Sequence, residues 1–280
     1  MTAMDQKRIL TVQDISCVGK CSTTVALPVL AACGHEVSIL PTTILSTHTG
    51  ISSKPAVCHL DASLGAFRSH WEALDIRFDI ILTGYLGSVR AVEEVSAVCR
   101  TMLAPDGELI VDPAMADHGK LYSGLDGRYA SAMSQLCDVA DILLPNVTEA
   151  AILSGKDYRQ LEEGYVSELL SGLRCPRVVL TGVGYAPGST GAEIRDGDSR
   201  YAYRHRRYDR NYHGTGDIFA ACFAGARANG RTLYDSARIA ADFTALAIEH
   251  TWNTTPGTGS VTFEPCLWKL HDMINQDPET

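Results

Sequence analysis

The sequence predicts an α/β fold: an open, mostly parallel sheet with helices on both faces. Two observations carry this. Short apolar runs of strand length alternate with longer stretches of helical spacing, the pattern of a parallel sheet covered on both sides. Polar residues recur where those runs stop: Asp14 and Ser16, Tyr85, Asp112, Asn146 and Glu149, Thr181. In such sheets ligands bind beyond the carboxyl ends of the strands, so the recurrence points to a site as well as to a fold.

Arg8–Val12 is a short apolar run bounded by polar residues, hence a buried strand with Asp14 and Ser16 past its end. Ser22–Cys33 reads as a helix closed by Gly34, and Val37–Leu40 as the next strand, stopped by Pro41. Leu45–Gly50 is a polar loop. Leu60–Leu74 has helical spacing, Phe78–Leu82 is a strand, and Val89–Leu103 is a helix ended by Ala104-Pro105-Asp106-Gly107. Glu108–Val111 is a strand with Asp112-Pro113 at its end, Asp126–Cys137 a helix, and Asp141–Leu144 a strand running into Pro145-Asn146-Val147-Thr148-Glu149. Glu162–Leu173 is a helix and Arg177–Leu180 a strand followed by Thr181-Gly182. Ala192–Arg195 and Tyr201–Arg204 form an antiparallel hairpin around Asp196-Gly197-Asp198. The basic run Arg204–Arg207 reads either as a solvated edge or as an attractor of phosphate. Ile218–Ala228 and Leu233–Thr251 are helices, and the tail after Pro256 is undecided. Without a repeat, low-complexity tract or flexible linker, residues 1–280 read as one domain.

The chain is 45% hydrophobic and 20% charged, enough to bury a proper core, and its formal net charge is -9. That disfavours a nucleic-acid partner, which normally needs a basic face. The nine cysteines lack a Cys-x-x-Cys pair and read as reduced thiols. The polar Met1–Arg8 has no signal-peptide core and no apolar run spans a bilayer, so a cytoplasmic protein without a membrane partner is expected.

The chemistry centres on Tyr212-His213-Gly214-Thr215-Gly216-Asp217-Ile218. Two glycines at a helix entrance let backbone approach a ligand closely. The free N–H groups of the first helical turn make an anion site. Asp217 puts a carboxylate at that entrance. Phosphoryl transfer needs an aligned nucleophile, a place for the charge of the moving group, and metal between the phosphates. Asp217 suits the base that takes a substrate hydroxyl proton, and Gly214, Thr215 and Gly216 the donor set for the developing charge. Asp112, Asn146 and Glu149 supply oxygen ligands of the kind Mg2+ prefers, through water. Asn146 and Glu149 also read as a helix cap of the capping-box kind. His48 is retained because it lies in a polar loop between Thr47 and Thr49. Gly19-Lys20-Cys21-Ser22 fails as a P-loop, since Asp14 stands at its first glycine and Cys21 at its Ser or Thr.

These motifs, with Ser46-Thr47-His48-Thr49-Gly50, Leu82-Thr83-Gly84-Tyr85 and Val178-Val179-Leu180-Thr181, resemble the ribokinase-like superfamily, and within it the pyridoxal kinases of vitamin B6 salvage, from about Leu10 to His250. The resemblance implies a ribokinase-like three-layer sandwich that uses ATP and Mg2+, with K+ or Na+, to phosphorylate the 5′-hydroxyl of pyridoxal, pyridoxamine or pyridoxine. It implies Asp217 as catalytic base and Gly214, Thr215 and Gly216 as anion hole. Asp112, Asn146 and Glu149 would lie near phosphates and metal, Asp117 and Tyr122 on a flap over ATP, and Thr181 with Gly182 near the triphosphate. Asp14, Ser16, His48, Thr49 and Tyr85 would line the vitamer pocket. Adenine would lie between the segment before the glycine turn and the helix from Leu233. The family resemblance also implies a homodimer.

The chain departs from the pattern in two places. Asp14 stands where many pyridoxal kinases have serine; the related hydroxymethylpyrimidine kinases of thiamine synthesis have aspartate there, within a Gly-Ser-Asp-x-Ser-Gly-Gly pattern whose glycines this chain lacks. The flap, Ala116–Ser123, has no cysteine. A hydroxymethylpyrimidine kinase and a non-catalytic B6-binding protein are therefore the alternatives.

Overall fold

The computed structural model describes residues 6–52, 54–208, 210–255 and 257–275; the expectation for the amino-terminal stretch therefore lies partly outside the described residues. Its elements, in chain order, are β1 (Arg8–Ser16), α1 (Thr23–Ala32), β2 (Glu36–Leu45), β3 (Val57–His59), α2 (Asp61–Ala73), β4 (Phe78–Thr83), α3 (Val89–Met102) and β5 (Leu103–Val111). There follow β6 (Ala116–Asp117), β7 (Lys120–Leu121), α4 (Gly127–Asp138), β8 (Ile142–Leu143), α5 (Val147–Leu153), α6 (Glu163–Gly172) and β9 (Arg177–Thr181). The hairpin β10 (Ser189–Asp196) and β11 (Ser199–Arg206) precedes α7 (Thr215–Ala228), α8 (Leu233–Thr254) and α9 (Leu267–Asn275).

Among the described residues one nine-stranded sheet runs β11-β10-β9-β8-β5-β4-β1-β2-β3. The strands from β9 to β2 are parallel, and β10, β11 and β3 join antiparallel at the edges. The sheet is buried on both faces because its strands alternate between two cores. Ile9, Ile110 and Val179 pack with α1, α7, α8 and α9; Leu10, Val111 and Val178 pack with α3, α4, α5 and α6. This is the expected ribokinase-like three-layer arrangement. Glu108 on β5 pins the sheet to α7, pairing with Arg177 at 2.7 Å and Arg227 at 2.6 Å.

Several boundaries differ from the sequence reading. Pro41 does not stop β2, which continues to Leu45. β3 pairs only with Thr43, Ile44 and Leu45, so at Pro41 the strand has β1 alone as neighbour and the missing N–H faces an open edge. Asp14 and Ser16 lie inside β1, whose pairing shifts register between Gln13 and Ile15 and then resumes to Ser16. The Ala104–Gly107 turn is the irregular first part of β5, where pairing jumps from Leu103 to Glu108. The undecided tail holds α9, which seals the first core with Leu270 and Ile274.

Candidate active site

The entrance of α7 is set by one glycine. Gly214 caps the helix at φ 86°, ψ 1°, and a Cβ there would stand 2.3 Å from the Lys20 carbonyl oxygen. Only glycine fits both demands. Being side-chain-free, it leaves the first-turn amides of Thr215, Gly216 and Asp217 uncapped by any side chain. Above Gly216 the space is open: no heavy atom lies within 4 Å of a Cβ built there. Asp217 occupies the same turn, half-buried. Burial raises its pKa to about 7, the Asp14 charge adds to the rise, and a hydrogen bond from the Ser22 backbone opposes it.

Asp14 is 2% exposed at the register shift of β1. The Ser16 hydroxyl donates to its Oδ2 at 3.1 Å, and the Cys21 thiol donates to Ser16 Oγ at 3.4 Å. Burial raises the Asp14 pKa, with hydrogen bonds from the Ser22 and Ser16 side chains acting the other way. Ser22 thus acts on both carboxylates, its side chain lowering the Asp14 pKa and its backbone that of Asp217. It does so at φ 52°, in the left-handed region that a serine rarely adopts. Tyr85, half-buried beyond β4, has its hydroxyl pKa raised by burial and by Asp14. His48 is half-buried and Thr49 exposed on the neighbouring loop.

The opposite wall is built from the ends of β5 and β8. Glu149 is 2% exposed. Its Oε1 accepts from the Met115 and Ala116 amides at 2.9 and 3.3 Å, and its Oε2 from the Asn146 amide at 3.0 Å. Asn146 Oδ1 accepts from the Glu149 amide at 3.0 Å, so the two form a complete capping box for α5. Asn146 Nδ2 donates to the Ala116 carbonyl at 2.8 Å, and Thr148 Oγ1 accepts from the Gly119 amide at 3.0 Å. The cap therefore anchors the β6–β7 hairpin, which carries Asp117. Asp112 Oδ1 accepts from the Ala114 amide at 3.1 Å. Burial, then Glu149, then Asp217 push the Asp112 pKa well up. The Glu149 pKa is also raised, chiefly by burial. Tyr122 lies over this group: burial and the charges of Glu149, Asp112, Asp117 and Asp217 raise its hydroxyl pKa. Thr181 pairs with Asn146 across the strand ends, its amide donating to Pro145 O at 2.9 Å. Gly182 beyond it faces open space.

Asp217 thus stands between Asp14 on one wall and Asp112 on the other, close enough for each charge to disturb the next. Sequence reasoning missed Ser22, Cys21 and His213. The first two sat in a stretch tested only as a P-loop. The carboxylates border neither of two cavities, one of about 350 Å3 near Cys137 and Cys175 and one of about 340 Å3 near His250 and Trp268.

The family model described as phosphomethylpyrimidine kinase matches residues 59–262. The chain belongs to the phosphomethylpyrimidine kinase family. Within that family it is similar to the pyridoxine/pyridoxal/pyridoxamine kinase of Bordetella pertussis, at 26% identity over 87% of this chain and 89% of that one. It is also similar to the hydroxymethylpyrimidine/phosphomethylpyrimidine kinase of Haemophilus influenzae, at 30% identity over 63% of this chain and 67% of that one. The crystal structure of pyridoxal kinase from Lactobacillus plantarum superposes with a TM-score of 0.87, at 33% identity, over 95% of this chain and 97% of that one. The family is one of kinases, with a ribokinase-like fold. No helix among the described residues is long and apolar enough to cross a membrane.

Proposed function

We propose that the protein transfers the γ-phosphoryl group of ATP to the 5′-hydroxyl of a B6 vitamer: pyridoxal, pyridoxamine or pyridoxine. The observation that carries the reading is Asp217, a carboxylate with its pKa raised to about 7 at the mouth of an uncapped helix. A base near neutrality takes a hydroxyl proton most effectively at physiological pH. In this reading Asp217 accepts that proton as the substrate oxygen bonds to phosphorus and the bond to ADP breaks. The amides of Thr215 and Gly216 stabilise the charge on the transferring group. Gly214 aims them.

The vitamer ring lies on the Asp14 side. Asp14, fixed by Ser16 and Ser22, accepts a hydrogen bond from a ring substituent or its amine, and Tyr85, His48 and Thr49 bound the ring. ATP lies on the other wall, beneath Asp117 and Tyr122 and against Thr181 and Gly182. The donor chemistry there fits Mg2+: Asp112 is a buried, crowded carboxylate whose pKa rises first through burial and then because Glu149 and Asp217 carry its own sign. Most oxygens of Asn146 and Glu149 already accept backbone amides. Those two residues would therefore have few oxygens free for a metal, and Asp112 Oδ2 would be the carboxylate oxygen offered to it. Bound there, Mg2+ would neutralise charge between the phosphates. Thr181, beside Asn146, marks the place for K+ or Na+.

A second reading, phosphorylation of hydroxymethylpyrimidine, is favoured by one residue, the buried Asp14. Steady-state ATP consumption by the purified protein with pyridoxal, pyridoxamine, pyridoxine, hydroxymethylpyrimidine and ribose tests both. The B6 reading expects the highest kcat/KM with a vitamer. Preference for hydroxymethylpyrimidine would replace it with the second reading, and vitamer binding without turnover would leave a non-catalytic binding protein.

A further inference from the structure

His213 stands directly before the glycine turn, exposed, with no place in the chemistry above. Its ring nevertheless decides what can stand opposite. A Cβ on Gly50 would lie 2.5 Å from His213 Nε2, so the ring fills the space that any other residue at position 50 would need. The His48 ring meets the His213 ring edge-on, centroids 4.8 Å apart at 63°. Behind, the His213 amide donates to Gly259 O at 2.9 Å, fixing the backbone that carries the ring. The loop is drawn tight from its own side too. The His48 amide donates to Val18 O at 2.8 Å, and the Gly50 amide donates to His48 Nδ1 at 3.2 Å.

We infer that His213 is a positioning residue: packed against Gly50 and His48, it holds the loop of residues 46–51 closed over the entrance of α7. The proposed function enters only in naming what the loop covers, the alcohol substrate; the closure is a property of the free protein. Two imidazoles do this rather than two aliphatic side chains, and that makes the closure sensitive to acid. His48 Nδ1 accepts the Gly50 hydrogen bond only while the ring is neutral. Charging His48 removes that acceptor and sets a cation against the His213 ring. Burial and His213 already push the His48 pKa below its ordinary 6.5. The closed loop is therefore favoured above that value and lost as pH falls through the depressed one. The other titratable groups on the surrounding elements are Cys17 and Lys20 before α1, Asp217 on α7, Lys54 further along the loop, and Glu264, which holds Lys20 at 2.8 Å.

The test uses the full chain as wild type, His213→Ala and His213→Phe. Hydrogen exchange of peptides covering residues 46–52 reads closure without reference to activity, and steady-state kinetics with ATP and pyridoxal read its consequence. His213→Ala is expected to speed exchange in the loop and to raise KM for the alcohol about tenfold, with kcat and KM for ATP within about twofold. His213→Phe keeps a ring against Gly50 and restores both. Exchange in the wild-type loop, corrected for intrinsic rates, rises from about pH 7.5 to about pH 5.5, and the rise is smaller in His213→Phe. Wild-type exchange and alcohol KM in His213→Ala would overturn the inference, as would a fall in kcat at unchanged KM. Faster loop exchange in a protein that phosphorylates no vitamer would leave closure by His213 standing and sink the B6 reading alone.

Discussion

Gly214→Ala is the sharpest perturbation the structure offers, because its cost can be worked out in two parts. An L-residue at φ 86° costs about 1–2 kcal/mol for the left-handed backbone. The new methyl carbon would stand 2.3 Å from the Lys20 carbonyl oxygen, about 1 Å inside the usual C···O contact of about 3.3 Å. Relieving that overlap adds about 1–2 kcal/mol, for a total near 3 kcal/mol, and lowers the melting temperature by about 6–12 °C. The amides of Thr215 and Gly216 must then shift by about 1 Å, and a shift of that size costs about 100-fold in rate. Differential scanning calorimetry and an ATP-consumption assay read both numbers. Gly216→Ala is the matched control. It has no neighbour within 4 Å of its Cβ and no positive φ, so alanine is expected to leave stability unchanged or up to about 1 kcal/mol higher. Its methyl would stand in the open space assigned to phosphate, so turnover should still fall. A Gly214→Ala protein with wild-type turnover, or a Gly216→Ala protein that melts early, would refute the assignment of this turn.

Four further outcomes follow from the same geometry. Asp217→Asn should lower kcat by about 10²–10⁴-fold with KM for ATP little changed, and unchanged turnover would remove Asp217 from the mechanism. In the wild type, kcat/KM should fall as pH drops below about 7, because the base is then protonated; a rate flat to pH 5 contradicts this. Ser22→Ala and Ser22→Gly both remove the hydroxyl that favours the charged form of Asp14, so both should raise KM for the alcohol. Only the glycine variant relieves the backbone at φ 52°, and it should be the more stable by about 1 kcal/mol; equal stabilities would show that the turn stores no strain. Asp112→Asn removes one of the crowded charges. Calorimetric titration should find metal-free ATP binding strengthened and the gain from adding Mg2+ reduced, and an undiminished Mg2+ gain would exclude Asp112 as a ligand.

The layers of the fold could be read from the sequence because buried parallel strands are apolar throughout and their helices keep a steady period. Boundaries failed where pairing, not composition, decides them. Pro41 stops a strand only when both its edges are bonded, and at Pro41 one edge is open. That knowledge needs the position of β3, three exposed residues with no apolar signature. Asp217, Asp112, Asn146 and Glu149 were legible because polar and charged residues at strand ends and helix entrances stand out. Ser22 and His213 were not. Ser22 acts through a left-handed backbone that its side chain does not announce, and His213 through a ring packed on Gly50, far from it in sequence.

The two sequence readings of Asn146 and Glu149, helix cap and phosphate site, describe one device. Capping α5 uses Asn146 Oδ1 and Glu149 Oε2, and the remaining Glu149 oxygen, Oε1, takes the amides of Met115 and Ala116. The base of the β6–β7 hairpin is thereby tied to the end of β8, and Tyr122 beyond it lies close enough to Asp112 and Glu149 for their charges to raise its pKa. The cost is electrostatic: Asp112, Glu149 and Asp217 share one cleft, and their mutual repulsion with burial raises the pKa of Asp112. A protein selected for stability alone gains nothing from that crowding. On the proposed function it becomes useful when a divalent cation arrives with a polyphosphate: the repulsion on Asp112 would be relieved in the bound state and not in the free one, which would favour the metal-bound nucleotide over the nucleotide alone.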